Sequence, residues 1–221
     1  GTDIPKRVAF SPDLSIVSME KEIAEVCGGA TKVFADIGAE VTDEIPDFTG
    51  VLEAFQTLRA VLFATMMEPI MQQHRDKIAP EIVGNIERGL NITPPQIFEA
   101  ERIRIELFKK ILDFFETHDF LICPAASIAP FPVDQRYVTE IDGKPCETYI
   151  DWFSITFALT MTACPTISVP CGFTSEGLPV GVQIMGKPRG EAALLLVAKR
   201  FEQAIGISAK LPITPQKLKL I

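Results

Sequence analysis

Two hydrophobic periods alternate along the chain. Residues 6–10 (KRVAF) make a short apolar run that Pro12 closes, which reads as a buried strand. Apolar residues then recur at spacings of three and four, at Ile23, Val26, Cys27, Ala30, Val33, Phe34 and Ile37, and predict one helix over that span. Ser18 stands where an N-cap would, Glu20 and Glu22 fall in the positive first turn, and Gly38 follows as the residue that ends the helix. In AEVTDEI, Val41 and Ile45 mark a second strand. Strand, helix and strand within about forty residues predict a βαβ unit, a parallel pair with a right-handed crossover.

The middle of the chain is helical. Leu52, Phe55, Leu58, Leu62 and Met66 mark one face of a long helix that Pro69 is expected to kink or end; Ile82, Val83, Ile86 and Leu90 mark a shorter one. A third starts at TPPQ, where Thr93 can cap, Pro94 takes the first helical position and Gln96 completes a capping box. It continues through Phe98, Phe108, Ile111, Leu112 and Phe115. Residues 119–123 (DFLIC) then form a short strand ended by Pro124, and 124–134 (PAASIAPFPVD) a loop.

From Asp151 a short apolar helix runs to the neighbourhood of Thr162. TISV (166–169) and VGVQIM (180–185) read as neighbouring strands buried on both faces, with PCGFTSEGLP as their exposed connection. Gly177 serves the turn there, and Gly181 allows close backbone packing. A last helix over 191–204 buries Leu194, Leu195, Val197, Ala198 and Phe201, with Gly206 past its end. Residues 207–221, with Pro212 and Pro215, read as a surface tail. The expected architecture is α/β: a mixed sheet with a βαβ start, flanked by helices, in one unit over 1–221.

Composition narrows the function classes. With 47% apolar and 23% charged residues the chain is that of a globular protein. Its net charge of −8 repels phosphate backbones and anionic lipid, so a nucleic-acid partner is not expected. Five widely spaced cysteines in apolar surroundings, Cys27, Cys123, Cys146, Cys164 and Cys171, favour reduced thiols in a cytoplasmic protein. The uncharged stretch 152–175 is long enough to suggest a membrane span. Pro165, Pro170 and its many serines and threonines argue against one. The opening GTDIPKRVAF has charges and a proline where a signal peptide needs an apolar core; Gly1 in place of Met is expected to mark a chain that starts inside a longer protein.

Residue chemistry offers no self-sufficient catalytic set. His74 reads as an exposed helix residue, and His118 as a favourable charge at a helix C-terminus. A Cys123–His118 nucleophile pair is close in sequence, yet Cys123 lies in an apolar strand where burial would raise its pKa and make it inert. No GxSxG elbow, Walker loop, GxGxxG or HExxH occurs, and neither a metal site nor a cofactor is expected. The two glycines of VCGGATK fall inside a helical period and read as close packing.

CPTISVPCGFTSEGLPVGVQIMG (164–186), continued by KPRGEAALLLVAKRFEQAIG (187–206), closely resembles the C-terminal part of the amidase signature family. The matching positions are Pro165, Pro170, Gly172, Gly177, Leu178, Pro179, Gly181, Gln183, Phe201 and Glu202. RVAFSPDLS, the helix leading to IGAEV, and FLICPAASIAPFP look like the same family in the same order, so the resemblance covers nearly the whole chain. Where many members have Asn and Gly, this chain has Thr160 and Ala163. The Gly-Ser-Ser-Gly-Gly run that carries the family's catalytic serines does not occur in these 221 residues.

The resemblance implies acyl transfer in a full-length enzyme: a lysine, acting through a serine on a cis peptide, activates a nucleophilic serine, and backbone N–H groups hold the oxyanion. This chain would supply the opposite wall, with Pro124, Ala125, Ser127, Trp152, Thr160 and Cys164 against a small-molecule amide, and no catalytic residue of its own. It is expected to be inactive alone, and to expose apolar surface that favours self-association, as a homo-oligomer for example. Two other readings stand beside it: a non-catalytic α/β binding module or subunit of an amidotransferase-like assembly, and a cysteine hydrolase.

Overall fold

A computed structural model describes residues 5–207; of the expected tail, 207–221, only Ile207 is described, and it is buried, while 208–221 lie outside the described residues. Strand β1 (Arg7–Phe10) leads into helices α1 (Lys21–Ala30) and α2 (Lys32–Asp36), and β2 (Glu40–Thr42) follows. Three long helices come next: α3 (Val51–His74), α4 (Pro80–Asn91) and α5 (Pro94–Thr117). The chain then runs through β3 (Phe120–Pro124), a small hairpin of β4 (Glu140–Ile141) and β5 (Lys144–Pro145), α6 (Ser154–Thr160), β6 (Thr166–Phe173), β7 (Pro179–Gly186) and α7 (Glu191–Ile205).

Five strands form one mixed sheet in the order β2-β1-β3-β7-β6. β1 pairs parallel with β2, as the βαβ pattern predicts, and parallel with β3; β7 runs antiparallel to both β3 and β6. Strand alternation sends successive side chains to opposite faces. Phe120, Ile122, Val182 and Ile184 join the core under α1, α2 and α7, while Leu121, Cys123 and Met185 join the core under α3, α5 and α6. The central strands β3 and β7 are therefore apolar on both sides.

Several local readings change in the fold. The first helix is two: the Thr31 hydroxyl donates to the Gly28 carbonyl at 2.7 Å, and the chain turns there between α1 and α2. Ser18 does not cap it. Glu20 holds the N-cap position, because its own N–H is drawn to the Ser127 carbonyl at 2.9 Å. Pro69 does not end α3, which continues to His74. The start of α5 follows the sequence: Thr93 N–H donates to Gln96 Oε1 at 2.9 Å.

The apolar stripe assigned to α3 is partly on the outside. Leu62 and Met66 are 55% and 63% exposed, and the buried side is the small one, Val51, Ala54, Thr57 and Ala60. Small residues let the neighbouring helix come close: a β-carbon on Gly89 of α4 would sit 2.0 Å from the Ala60 carbonyl oxygen. Phe98 and Leu112 of α5 and Leu195 of α7 are likewise exposed rather than buried.

The hairpin β4–β5 follows from a two-residue turn, Asp142–Gly143, with both φ angles positive at 50° and 73°. That is the Asp-Gly hairpin signal, inside a stretch to which the sequence patterning assigns no element. β6 also departs from expectation. It is longer than TISV, it is an edge strand, and Thr166 and Ser168 are exposed, so it is not buried on both faces.

Candidate functional site

The loop after β3 is held at nearly every main-chain group. Gln183 Nε2 donates to the Pro124 carbonyl at 3.1 Å, and Ala125 N–H donates to the Gly181 carbonyl at 2.9 Å. The Thr156 hydroxyl of α6 donates to the Ala125 carbonyl at 2.7 Å. Ser127 N–H donates to the Trp152 carbonyl at 3.0 Å, and Ala129 N–H to Glu20 Oε2 at 2.8 Å. Anchors from α1, α6, β7 and the turn at 151–153 thus fix a segment that has no regular structure of its own. The loop at the C-terminal end of β3 is thus ordered by contacts with the rest of the fold.

Beside it opens a cleft of about 480 Å³, lined by Ala125, Ile128, Phe131, Trp152, Ser168 and Gly181 among others. Phe131 and Trp152 meet edge to face with ring centroids 5.4 Å apart. Gly181 keeps the floor low: a β-carbon there would lie 3.3 Å from the Val169 carbonyl oxygen and 3.5 Å from Ala125 Cβ. A second cleft of about 370 Å³, lined by Ile16, Gln56, Asp151, Ser154 and Phe157, lies across the turn, since Asp151 and Ser154 face it while Trp152 faces the first.

The six residues singled out in the sequence separate. Ala125 and Trp152 line the first cleft. Pro124 and Ser127 belong to the same loop but are buried behind it, and the Ser127 hydroxyl has no hydrogen-bond partner. Thr160 is exposed at the end of α6 with its hydroxyl on the Phe157 carbonyl, 2.7 Å away, and Cys164 is half-buried; neither lines the cleft.

A family model described as Amidase matches residues 1–195. The chain belongs to the amidase family. Among curated relatives, the acylamidase of Rhodococcus erythropolis is 28% identical over 199 residues, 89% of this chain and 42% of the relative. A glutamyl-tRNA(Gln) amidotransferase component of Alkaliphilus metalliredigens is 24% identical over 221 residues, 95% of this chain and 42% of the relative. Among solved structures, a bacterial aryl acylamidase of the amidase signature enzymes superposes with a TM-score of 0.79 at 23% identity, covering 94% of this chain and 46% of that one. A 6-aminohexanoate cyclic dimer hydrolase gives 0.80 at 21%, covering 96% and 47%. This amidase-family chain therefore spans about half the length of the proteins it matches, and the mixed sheet with flanking helices is the fold of amidase signature enzymes.

The remaining nucleophile candidates in the amidase chain lie in its interior. Cys123 is fully buried with Gln183 Nε2 3.8 Å from its sulphur; burial pushes its thiol well above the ordinary range. His118 is buried too, with Nε2 3.0 Å from the Thr42 hydroxyl, Nδ1 2.9 Å from that of Thr117, and its ring stacked on Phe114. Cys27 and Cys171 place their sulphurs 3.8 Å apart in the core, and that contact, with burial, raises the Cys27 thiol strongly. Among the described residues no three His, Cys, Asp or Glu side chains gather as metal ligands, and no helix is long and apolar enough to cross a membrane.

Sequence reasoning did not find the anchors. Glu20 reads locally as a helix-dipole residue, and only the fold brings Ala129 to it. Gln183 carried a signal: a lone amide in an apolar strand must find a partner, and the Pro124 carbonyl is that partner. Phe131, Ser168 and Gly181 come to the cleft only through the pairing of β3 with β7 and β7 with β6.

Proposed function

We propose that this chain is the C-terminal portion of a serine amidase and forms the substrate-holding wall of its active site. The cleft at the fixed loop carries the reading. Its apolar lining, with Phe131 and Trp152, suits the acyl or leaving group of a small-molecule amide, while the main-chain carbonyls of Pro124 and Ala125 are already occupied. The acyl-transfer step belongs to a Gly/Ser-rich segment that these 221 residues do not contain, so the chain on its own is inactive.

Trp152 is the sole tryptophan, so its fluorescence reports the cleft directly. Purified chain is incubated with simple amides and aryl amides. The expected result is a saturable change in Trp152 emission with no product formed; Phe131→Ala weakens the emission response. Turnover by the isolated chain, unchanged after Cys123→Ala and Cys164→Ala, overturns the reading. A second reading, a non-catalytic member of an amidotransferase-like assembly, draws support from the amidotransferase relative, which matches along 95% of this chain. It predicts that the chain co-purifies with other polypeptides and leaves Trp152 unmoved by small amides.

A further inference from the structure

Beneath the floor of the first cleft two thiols meet. Cys27 comes from α1 and Cys171 from β6, 144 positions later, and their sulphurs lie 3.8 Å apart. Both side chains are buried in the core under α1, α2 and α7. The contact follows from Gly172. A β-carbon there would sit 2.6 Å from Val26 Cγ1, so glycine lets the backbone of β6 lie close against α1, and the neighbours of these two residues come sulphur to sulphur. Cys171 is also the residue that the ladder leaves over. Pro170 pairs with Gly181 and Gly172 with Val180, so Cys171 is the extra residue of a bulge and adjusts without the loss of a ladder pair.

The pair is joined to the cleft through one carbonyl and one turn of helix. The Cys27 thiol donates to the Gly181 carbonyl at 3.6 Å; that carbonyl also accepts from Ala125 N–H, and Gly181 lines the cleft. Ile23, one turn before Cys27 on the same face of α1, lines it as well. With the Cys27 hydrogen on Gly181, the Cys171 hydrogen is the one left to lie between the sulphurs.

We propose that Cys27 and Cys171 are an oxidation site: hydrogen peroxide closes them to a disulfide that ties α1 to β6 and reshapes the cleft floor. The inference does not depend on the amide chemistry proposed above. Cys171 stands on an edge strand and keeps 4% of its surface exposed against none for Cys27, so the first attack is assigned to it. Its sulphur takes one peroxide oxygen, the O–O bond breaks, and the departing hydroxide leaves as water with the thiol proton. The Cys27 sulphur then attacks the sulphenic sulphur; the S–O bond breaks, and that hydroxide leaves with the Cys27 proton as a second water. The two thiols give up one electron each, and one peroxide is reduced to two waters. A disulfide bond is about 2.05 Å long, so the sulphurs close by about 1.7 Å, and the Gly181 carbonyl loses the Cys27 hydrogen. The contact with Cys171 and burial hold the Cys27 thiol high, which makes the pair slow beside an exposed, low-pKa cysteine.

The test holds the reduced, dilute chain in excess hydrogen peroxide, quenches it, alkylates the remaining thiols after unfolding and maps the peptides by mass spectrometry. The expected result is a cross-linked Cys27–Cys171 peptide pair, lighter than the two free peptides by two hydrogens, in most chains. Trp152 emission of the ligand-free chain shifts in parallel, and dithiothreitol reverses both changes, which it does not do for oxidised methionine. Cys171→Ala loses the cross-link and the reversible shift together. Recovery of Cys27 and Cys171 as free thiols, as sulphinic or sulphonic acids, or in disulfides with other cysteines overturns the proposal. A Cys27–Cys171 bond that leaves Trp152 emission unchanged overturns its coupling to the cleft. The mapping uses the unaltered chain, so it stands whether or not a cysteine variant folds.

Discussion

The two edges of the sheet are built differently. β2 is three residues long, and its surroundings are charged: Arg7 Nη2 donates to Glu44 at 2.9 Å, and Arg7 Nε lies 3.4 Å from Glu40 without hydrogen-bond alignment. Thr42 is occupied by His118. β6 has eight residues and no charge. One edge is short and decorated with charge; the other is long and uncharged. The cleft with Phe131 and Trp152 borders β6 and not β2.

The largest test of that contrast is to weaken each side from within. Ile184 of β7 is fully buried behind β6, so Ile184→Ala should cost about 3 kcal/mol by chemical denaturation, whereas Val41→Ala in β2, 36% exposed, should cost less than about 1 kcal/mol. Equal costs would remove the asymmetry. Alkali sharpens it next. Cys27 beneath β6 has its thiol raised by the contact with Cys171 and by burial, and Cys123 by burial. Unfolded thiols ionise from about pH 8.5, folded ones do not, so the unfolded state holds fewer protons above that pH. Stability is then unaffected at lower pH and falls as pH rises past this point, by up to about 1.4 kcal/mol per pH unit per thiol. Urea titrations across about pH 7.5 to 9.5 should show the fall, and Cys27→Ala should flatten it.

Smaller effects follow at the loop and at the charged edge. Glu20→Ala removes the carboxylate on Ala129 N–H and should cost about 1.5 kcal/mol, with a red shift of Trp152 emission as the loop loosens. An unshifted emission would mean that the other anchors suffice. Glu44→Gln, which breaks an exposed pair with Arg7, should change stability by at most about 0.5 kcal/mol, and less at high salt.

Local signals made much of the fold legible. The βαβ start, the cap at Thr93 and Gln96, and the buried positions Leu194, Val197, Ala198 and Phe201 of α7 follow from spacing and residue type, and the structure has them. Legibility failed where a tertiary neighbour outranked hydrophobicity. Leu62 and Met66 are outside because Gly89 and Ala60 allow α4 a closer approach on the small-residue face. α1 and α2 part at a threonine that prefers a nearby carbonyl.

The candidate site divides along the same line. Residue order placed a proline- and alanine-rich loop after an apolar strand, the late Gly-Leu-Pro-x-Gly-x-Gln stretch pointed to the family, and that resemblance set Trp152 among the expected wall residues. Periodicity, capping and turn chemistry act between near neighbours, so sequence could determine them. Which side of the sheet stays open, which carboxylate ties down Ala129, and why Gln183 sits in an apolar strand were decided by residues sixty to more than a hundred positions apart meeting across the sheet. Strand order sets those meetings, and strand order is a property of the packed whole.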